Sequence, residues 1–203
     1  LVYQPKLDLK THKITSCEAL LRWSHDGVNV PPGEFIPIAE RSVLMRQIED
    51  FVIEEAIRQR AQWAKAGIDH LRIDINLSGR RLLIGDTLNR LVDLTRVYGL
   101  AQHQIGIEIT EHTLIEAGEE TIEALSQLRE KGCPISLDDF GTGYSSLGYL
   151  KRLPIDVLKI DRSFIRELPD NQQDVSIVSA ICAMGRSLGK KILAEGVETE
   201  AQM

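Results

Sequence analysis

Two adjacent aspartates, Asp138 and Asp139, begin the glycine-containing stretch DDFGTGYSSLGYL. Their like charges repel, so a protein needs a reason to keep them side by side. One interpretation is a turn, where aspartate is common. The other is a pair of divalent cations, because bound cations offset the repulsion between neighbouring carboxylates. The remaining polar residues of the chain must distinguish the two.

Further polar side chains end the apolar segments of the chain. In a strand, alternate side chains face opposite ways, so in IGIEIT the three isoleucines share one face and Glu108 and Thr110 share the other. The same alternation, applied to the other strand ends, selects Glu18, Arg22, Asp74, Asn76, Lys159, Asp161 and Glu195. Any one of them is explained equally well as a solvated strand end. Repeated over successive strands, that explanation is strained.

Such a cluster of carboxylates favours metal binding. Buried carboxylates without partners are costly, and oxygen ligands without clustered histidine or cysteine favour Mg²⁺ or Mn²⁺. Where the strand alternation breaks down, one aspartate of the pair would bridge two ions and the other would bind only the second. Two ions so placed activate water for in-line displacement at phosphorus, and Lys159 would add a fixed positive charge beside the reacting oxygens. The residues therefore predict two-metal phosphoryl chemistry.

The elements that must position these residues alternate between strands and helices. Strands are predicted near 2–5, 14–22, 71–77, 104–110, 134–138, 156–161 and 191–195. Helices are predicted near 34–48, 50–66, 80–98, 118–131, 145–151 and 174–189, with another starting at 198. Alternation predicts parallel pairing, but the connection KTHK is too short for a crossover and makes the first pair antiparallel. We expect an α/β fold, a TIM-like (β/α)8 barrel with an antiparallel first strand and a missing C-terminal strand.

Size and composition restrict the class of protein. The 203 residues, 43% of them hydrophobic, suit one domain over 1–203 with a sizeable core. A net charge of −6 argues against binding of polymeric nucleic acid through a basic face, and no apolar run reaches membrane-spanning length. Three scattered cysteines suit reduced thiols in the cytoplasm, with a membrane-anchored parent protein still allowed. The five histidines lack metal-ligand spacing, so zinc is not expected.

Two short motifs are rejected. DFG at 139–141 occurs in protein kinases, but the chain has no HRD loop, VAIK strand or upstream glycine-rich loop. GTGYSSLG matches a dinucleotide-binding fingerprint only loosely, because Ser146 stands where the third glycine belongs. Gly141 and Gly143 instead indicate backbone freedom in an active-site loop.

The chain resembles the EAL-domain family over essentially its whole length. The matching motifs occur in order as YQP, EALLRW, INLS, EITE, DDFGTGYSSLGYL, LKID and AEGVE. The resemblance implies a bacterial phosphodiesterase that hydrolyses cyclic di-GMP to linear 5′-pGpG and so lowers a second messenger that regulates biofilm formation and motility. It also implies two Mg²⁺ or Mn²⁺ ions as cofactors, with Ca²⁺ inhibitory.

The resemblance assigns roles in metal binding and catalysis, motif by motif. The implied metal ligands are Glu18, Asn76, Glu108, Asp138, Asp139 and Glu195. Asp138 matches the bridging aspartate, and Lys159 matches the lysine that positions the attacking water. The implied catalytic group is Glu18, Asp138, Lys159 and Glu195.

Other roles concern the substrate and the loop after the aspartates. By resemblance, Gln4 and Arg22 contact the guanine and phosphate of the substrate, and Asp161 lines the site. Glu111 matches the residue that anchors the loop beginning at Phe140. Family members continue past AEGVET to a final strand with a glutamine–glycine motif, and they begin before YQP. We therefore expect the domain to be truncated at its C-terminus and slightly short at its N-terminus.

A catalytically impaired EAL domain, binding cyclic di-GMP as a receptor or regulatory module, is the alternative function. Such domains typically lose the EAL glutamate, an aspartate of the pair or the lysine. All of these residues are present here, so the enzyme is favoured. An unrelated barrel enzyme acting on sugar phosphates has little support. The resemblance further implies a homodimer and a fused sensor or GGDEF domain in the parent protein, with no membrane contact by this domain.

Overall fold

The fold is built from two compact units. The computed structural model describes residues 1–83, 87–143 and 147–203. One unit comprises Leu1–Ile107 with Lys131–Cys133, and the other comprises Glu108–Glu130 with Pro134–Met203. Within the described residues, no helix is both long and apolar enough to cross a membrane.

The first unit begins with two antiparallel strands, β1 (Val2–Asp8) and β2 (Lys13–Leu20). Its further elements are β3 (Trp23–His25), β4 (Val28–Val30), α1 (Pro32–Glu40), α2 (Leu44–Lys65), β5 (Arg72–Asn76), α3 (Gly79–Leu83), α4 (Thr87–Val97) and the start of β6 (Ile105–Thr110). Strand β5 pairs parallel to β2, with Glu18 opposite Asp74. The antiparallel first pair predicted from the short KTHK connection is confirmed, and so is the α/β class.

The second unit is a parallel arrangement of strands and helices. It contains α5 (Glu111–Glu130), β7 (Ile135–Phe140), α6 (Leu147–Arg152), β8 (Val157–Ile160), α7 (Gln172–Ser187) and β9 (Lys191–Ala194). Both β7 and β9 pair parallel to β8. The carboxyl ends of these three strands therefore lie at one edge, which is where open parallel sheets and barrels place their sites.

Two predicted boundaries in the first unit are wrong because local hydrogen bonds override periodicity. The helix predicted over 34–48 ends as α1 at Glu40, where the N–H and hydroxyl of Ser42 both donate to the Ala39 carbonyl. The strand predicted over 14–22 ends at Leu20 and is followed by the β3–β4 hairpin. Asp26 and Gly27 form its turn with φ of 49° and 79°. This Asp-Gly turn is a known hairpin signal that the alternation did not include.

Four other helix predictions differ in extent from the described helices. The helix predicted over 80–98 is described as α3 and α4, with 84–86 outside the described residues. The helix predicted over 118–131 starts at Glu111 and bends at Gly118, whose φ is 68°. The helix expected from 198 is a 3-10 turn, Glu200–Gln202. For the helix predicted over 145–151, residues 145 and 146 lie outside the described residues, and α6 begins at Leu147.

Burial separates the two faces of the strands as the alternation predicts. The buried apolar side includes Ile73, Ile75, Ile105, Ile107, Ile109, Leu137 and Leu158. The other side carries buried charge, with Asp74 at 1% exposure and both Glu108 and Lys159 at 0%. Charged side chains are almost never fully buried unless they are paired, so each of these three residues is expected to have ionic partners.

Candidate metal centre

The two adjacent aspartates lie in a β-bulge of β7. Between Leu137 and Phe140 the register with β8 shifts, so that three steps along β7 match two steps along β8. Asp139 takes up the extra length with φ 54°, in the left-handed region that few non-glycine residues adopt. A bulge re-aims the side chains of its strand, so Asp138 and Asp139 are released from facing opposite ways.

The bulge brings three carboxylates together. Asp138, Asp139 and Glu195 offer carboxylate oxygens that all lie within 4.8 Å of one another. Glu195 follows directly after β9, and its N–H donates to the carbonyl of Ile160 at the end of β8. Hard oxygen donors this close together, with no histidine or cysteine among them, suit Mg²⁺ or Mn²⁺.

Lys159 forms the centre of the ionic network in this unit. Its ammonium nitrogen lies 2.6 Å from Glu108 Oε2, 2.8 Å from Asp138 Oδ2 and 2.7 Å from Glu195 Oε1. Asp139 lies beside this network, with a carboxylate oxygen within 4.8 Å of oxygens of Asp138 and Glu195. Removing either partner of a buried ion pair is strongly destabilising. The network therefore holds Lys159 in place, and its carboxylates are of the ligand type that a divalent cation prefers.

Glu111 fastens the loop that follows the bulge. Its side chain is buried, and its Oε2 accepts a hydrogen bond from the Gly141 N–H at 3.0 Å. A Cβ at Gly143 would lie 2.7 Å from Glu111 Oε1, so only glycine lets the backbone approach the carboxylate this closely. Glu111 thus contacts the loop at the two glycines that the sequence singled out.

Two further predicted ligands meet in the first unit. The Asn76 side-chain amide donates to Glu18 Oε1 at 2.8 Å. They come from the ends of the paired strands β2 and β5, whose register places Glu18 opposite Asp74. Their oxygens are of the same hard type as those of the aspartate cluster.

Asp74 shares a strand face with Asn76 but serves a different purpose. It is buried, and its carboxylate accepts from Lys6 Nζ at 2.8 Å and from Arg72 Nε at 2.5 Å. Burial alone would raise the pKa of this carboxyl, but the two cations outweigh burial and hold the pKa below its usual value. A Cβ at Gly106 would collide with the Asp74 carboxylate, so the glycine makes room for it. Asp74 is therefore the centre of a structural ion network.

The three residues predicted to contact the substrate have mainly local interactions in the structure. Gln4 is exposed on β1, and Arg22 donates to the Leu21 carbonyl at 2.8 Å. Arg22 also lines a cavity of about 140 Å³ together with Asn76 and mainly apolar side chains. Asp161 accepts from the Ser163 N–H at 2.9 Å, which caps the 3-10 turn after β8.

Glu49 lines the same cavity and was not identified from the sequence. It is 3% exposed on α2, and its Oε1 accepts from the Ser78 N–H at 2.9 Å, two residues after Asn76. Burial raises the pKa of its carboxyl, an effect that the hydrogen bonds from Ser78 oppose. The available signal was its helical spacing with the apolar Val52 and Ile53, which puts a charge on a buried helix face.

Comparison with known proteins supplies the family. The family model for the EAL domain matches residues 1–203. The bifunctional diguanylate cyclase/cyclic di-GMP phosphodiesterase MucR of Pseudomonas aeruginosa is 44% identical over 201 residues, covering 98% of this chain and 29% of that protein. Cyclic di-GMP phosphodiesterase NbdA of the same organism is 41% identical over 202 residues, covering 99% of this chain and 26% of that protein. The chain thus spans less than a third of the length of these curated relatives.

A solved structure agrees with the sequence match. The structure described as PaMucR phosphodiesterase in complex with c-di-GMP has a TM-score of 0.92 and 44% identity, covering 98% of this chain and 81% of that one. This likeness confirms the predicted fold class, the TIM-like barrel with an antiparallel first strand. Since the family model matches every residue and the relatives exceed 40% identity, the chain belongs to the EAL domain family.

Proposed function

We propose that this domain is a metal-dependent phosphodiesterase that hydrolyses cyclic di-GMP to linear 5′-pGpG. The observation that carries the proposal is the cluster of Asp138, Asp139 and Glu195 built around the buried Lys159. The names of the relatives MucR and NbdA, both cyclic di-GMP phosphodiesterases, support the substrate and the reaction. Lowering cyclic di-GMP would make the domain part of bacterial signal transduction.

The donor set fits two Mg²⁺ or Mn²⁺ ions. We assign Asp138, Asp139 and Glu195 to the second ion on the strength of their mutual approach. By family resemblance, the first ion takes Asp138, Glu108, Glu18 and Asn76. When bound, such ions polarise water and stabilise the charge of an in-line displacement at phosphorus. Ca²⁺ is expected to inhibit, because it is larger and its coordination is looser.

Lys159 contributes charge that is already in place before the substrate binds. Glu108 and Asp138 fix its ammonium group through bonds of 2.6 and 2.8 Å, so little reorganisation is needed during reaction. On the family resemblance alone, Lys159 is also proposed as the residue that positions the attacking water. Gln4, Arg22 and Asp161 are proposed as contacts to the substrate, on the resemblance alone.

The test is product analysis with the purified protein. Incubated with cyclic di-GMP and Mg²⁺ or Mn²⁺, it should yield linear 5′-pGpG by chromatography, and excess chelator should abolish the product. Asp138→Asn and Lys159→Ala should each lower kcat about a hundredfold, as losses of charge stabilisation in the transition state do. The exposed Glu40→Gln is the control and should keep the parent rate.

Two results would count against the enzyme. Full turnover in chelator would remove the metal mechanism, and a parent rate for Asp138→Asn would remove the bridging role of that residue. Tight binding of cyclic di-GMP without any product would instead favour the alternative, a receptor or regulatory EAL domain.

The cellular location, the parent protein and the oligomeric state are each proposed from a different observation. All three cysteines are free thiols, which suits the reducing cytoplasm. The relative MucR is named as both a diguanylate cyclase and a phosphodiesterase, which supports a parent protein with a fused GGDEF or sensor domain. We also propose a homodimer, as the family resemblance implies. Sedimentation of the purified domain at micromolar concentration tests that assembly.

A further inference from the structure

We propose that Phe164 is a positioning residue of the metal centre, whose ring supports the turn that sets the carboxylate of Asp139. The inference rests on the proposed function in taking Asp139 as a ligand. Phe164 belongs to the 3-10 turn Arg162–Phe164 that follows β8. Nothing in its sequence context pointed to the loop after β7.

The contact is made at Gly141. A Cβ built on this glycine would lie 2.9 Å from Phe164 Cε2 and 3.4 Å from Cζ, so the ring edge rests against the glycine backbone. The same atom would lie 3.6 Å from Ile181 Cδ1 on α7. Gly141 has φ 102°, a conformation that side chains rarely adopt. The backbone therefore turns in direct contact with an apolar floor, which consists of the side chains of Phe164 and Ile181.

The turn on this floor begins at Asp139. Its left-handed conformation is strained for a residue with a side chain, and such strain persists only where the surroundings fix it. Polar ties supply part of the restraint, since the Thr142 hydroxyl donates to the Asp139 carbonyl at 2.8 Å and Glu111 holds the Gly141 N–H. These hydrogen bonds orient the peptide groups but do not fill the space beside the Cα of Gly141. The Phe164 ring fills that space and so limits movement of the glycine.

Phe164 is itself held in a fixed position. Its N–H donates to the Asp161 carbonyl at 3.1 Å, and the Asp161 carboxylate caps the same turn through Ser163. Ile165, the next residue, is 1% exposed and anchors the turn in the core. The ring therefore fixes the turn that begins at Asp139 relative to β8, the strand that contains Lys159. Partners that orient a ligand typically change metal affinity 10- to 100-fold when they are removed.

The experiment measures Mn²⁺ binding by electron paramagnetic resonance and amide hydrogen exchange on the same variants. Phe164→Ala should weaken Mn²⁺ binding about tenfold and should speed exchange of the Gly141 and Thr142 amides. Phe164→Leu keeps an apolar floor and should lose about threefold or less, intermediate between parent and alanine variant. Leu168→Ala, a half-buried apolar residue of the same segment, is the matched control and should change neither quantity.

Each result supports or contradicts the positioning role of Phe164. Parent-like Mn²⁺ affinity and exchange in Phe164→Ala would overturn the proposal, as would an equal loss in Leu168→Ala. Should the alanine variant fail to fold, the graded loss in Phe164→Leu decides instead. If the parent protein binds no Mn²⁺, the proposed metal centre is wrong. Faster exchange of the Gly141 and Thr142 amides in Phe164→Ala would still show that the ring stabilises the turn.

Discussion

Individual carboxylates in this protein differ in purpose according to their neighbours, and Glu49 is the clearest case. It is buried on α2, and burial raises its pKa above the ordinary value of 4.5, so the folded state binds the proton more tightly than the unfolded chain does. Its contribution to stability is therefore fully present below that pH and is lost as the pH rises through the folded pKa. Glu49→Gln keeps an acceptor for the Ser78 N–H and never ionises. Its stability relative to the parent should rise between pH 4 and pH 7.

Thermal melts of both proteins across this range provide the measurement. The exposed Glu40→Gln serves as the control for the change of overall charge and should show no comparable trend. A difference in Tm between Glu49→Gln and parent that stays constant from pH 4 to pH 7 would mean that Glu49 is solvated in the native state.

Residue types predicted a cluster of carboxylates suited to metal ions, but they did not show which carboxylates would belong to it. Adjacent aspartates and repeated polar strand ends implied hard-metal chemistry, and the structure gathers Asp138, Asp139 and Glu195. The same alternation also selected Asp74, whose carboxylate is occupied by Lys6 and Arg72. A carboxylate pairs with a lysine or arginine through contacts between residues distant in sequence. Strand alternation therefore cannot distinguish candidate metal ligands from carboxylates that form ion pairs.

At the scale of elements, the β7 bulge and its turn determine whether the aspartates converge. Gly141→Ala should be strongly destabilising, because the new Cβ would meet the Phe164 ring at 2.9 Å on a backbone with φ 102°. Overpacking typically costs about 1–3 kcal/mol, added to a backbone cost of about 1–2 kcal/mol for a left-handed residue. Gly189→Ala is the matched control, with φ 67° and no atom within 4 Å of its Cβ. Urea unfolding should show the larger loss for Gly141→Ala.

Equal losses in the two variants would show that the ring yields to the added methyl group. The double variant Gly141→Ala with Phe164→Ala adds a second measure, because deletion of the ring should recover the steric part and leave the backbone part. Additive losses in the double variant would mean that the two residues do not interact.

Elements with regular periodicity were predictable, and irregular ones were not. Strand alternation located β6 by the buried Ile105, Ile107 and Ile109 on one face, and it located β7 before the bulge by the buried Ile135 and Leu137. The bulge was invisible because it exists only relative to β8, whose register the sequence of β7 does not contain. The break between α1 and α2 arises from hydrogen bonds of Ser42 to its neighbours, which helix propensity does not describe.

At the scale of the whole molecule, we expect the carboxylate cluster to couple metal binding to folding. Asp138, Glu108 and Glu195 share one lysine, so the native state retains repulsion that the unfolded chain relieves. A cation that binds only the native state stabilises it by about 2.7 kcal/mol at a hundred times its Kd. For a chain of this size, that corresponds to a rise in Tm of about 5–10 °C. Chelator-treated protein should show this rise on addition of Mn²⁺.

The control for this rise must separate site binding from general screening of surface charge. NaCl at matched ionic strength should raise the Tm much less than Mn²⁺ does, since screening acts weakly on buried groups. Asp139→Asn removes one carboxylate of the cluster and should both raise the Tm without metal and reduce the increment from Mn²⁺. These opposite signs distinguish a ligand from a structural residue, whose loss would lower the Tm in both conditions. An Mn²⁺ increment that is unchanged in Asp139→Asn would place the stabilising ion elsewhere in the molecule.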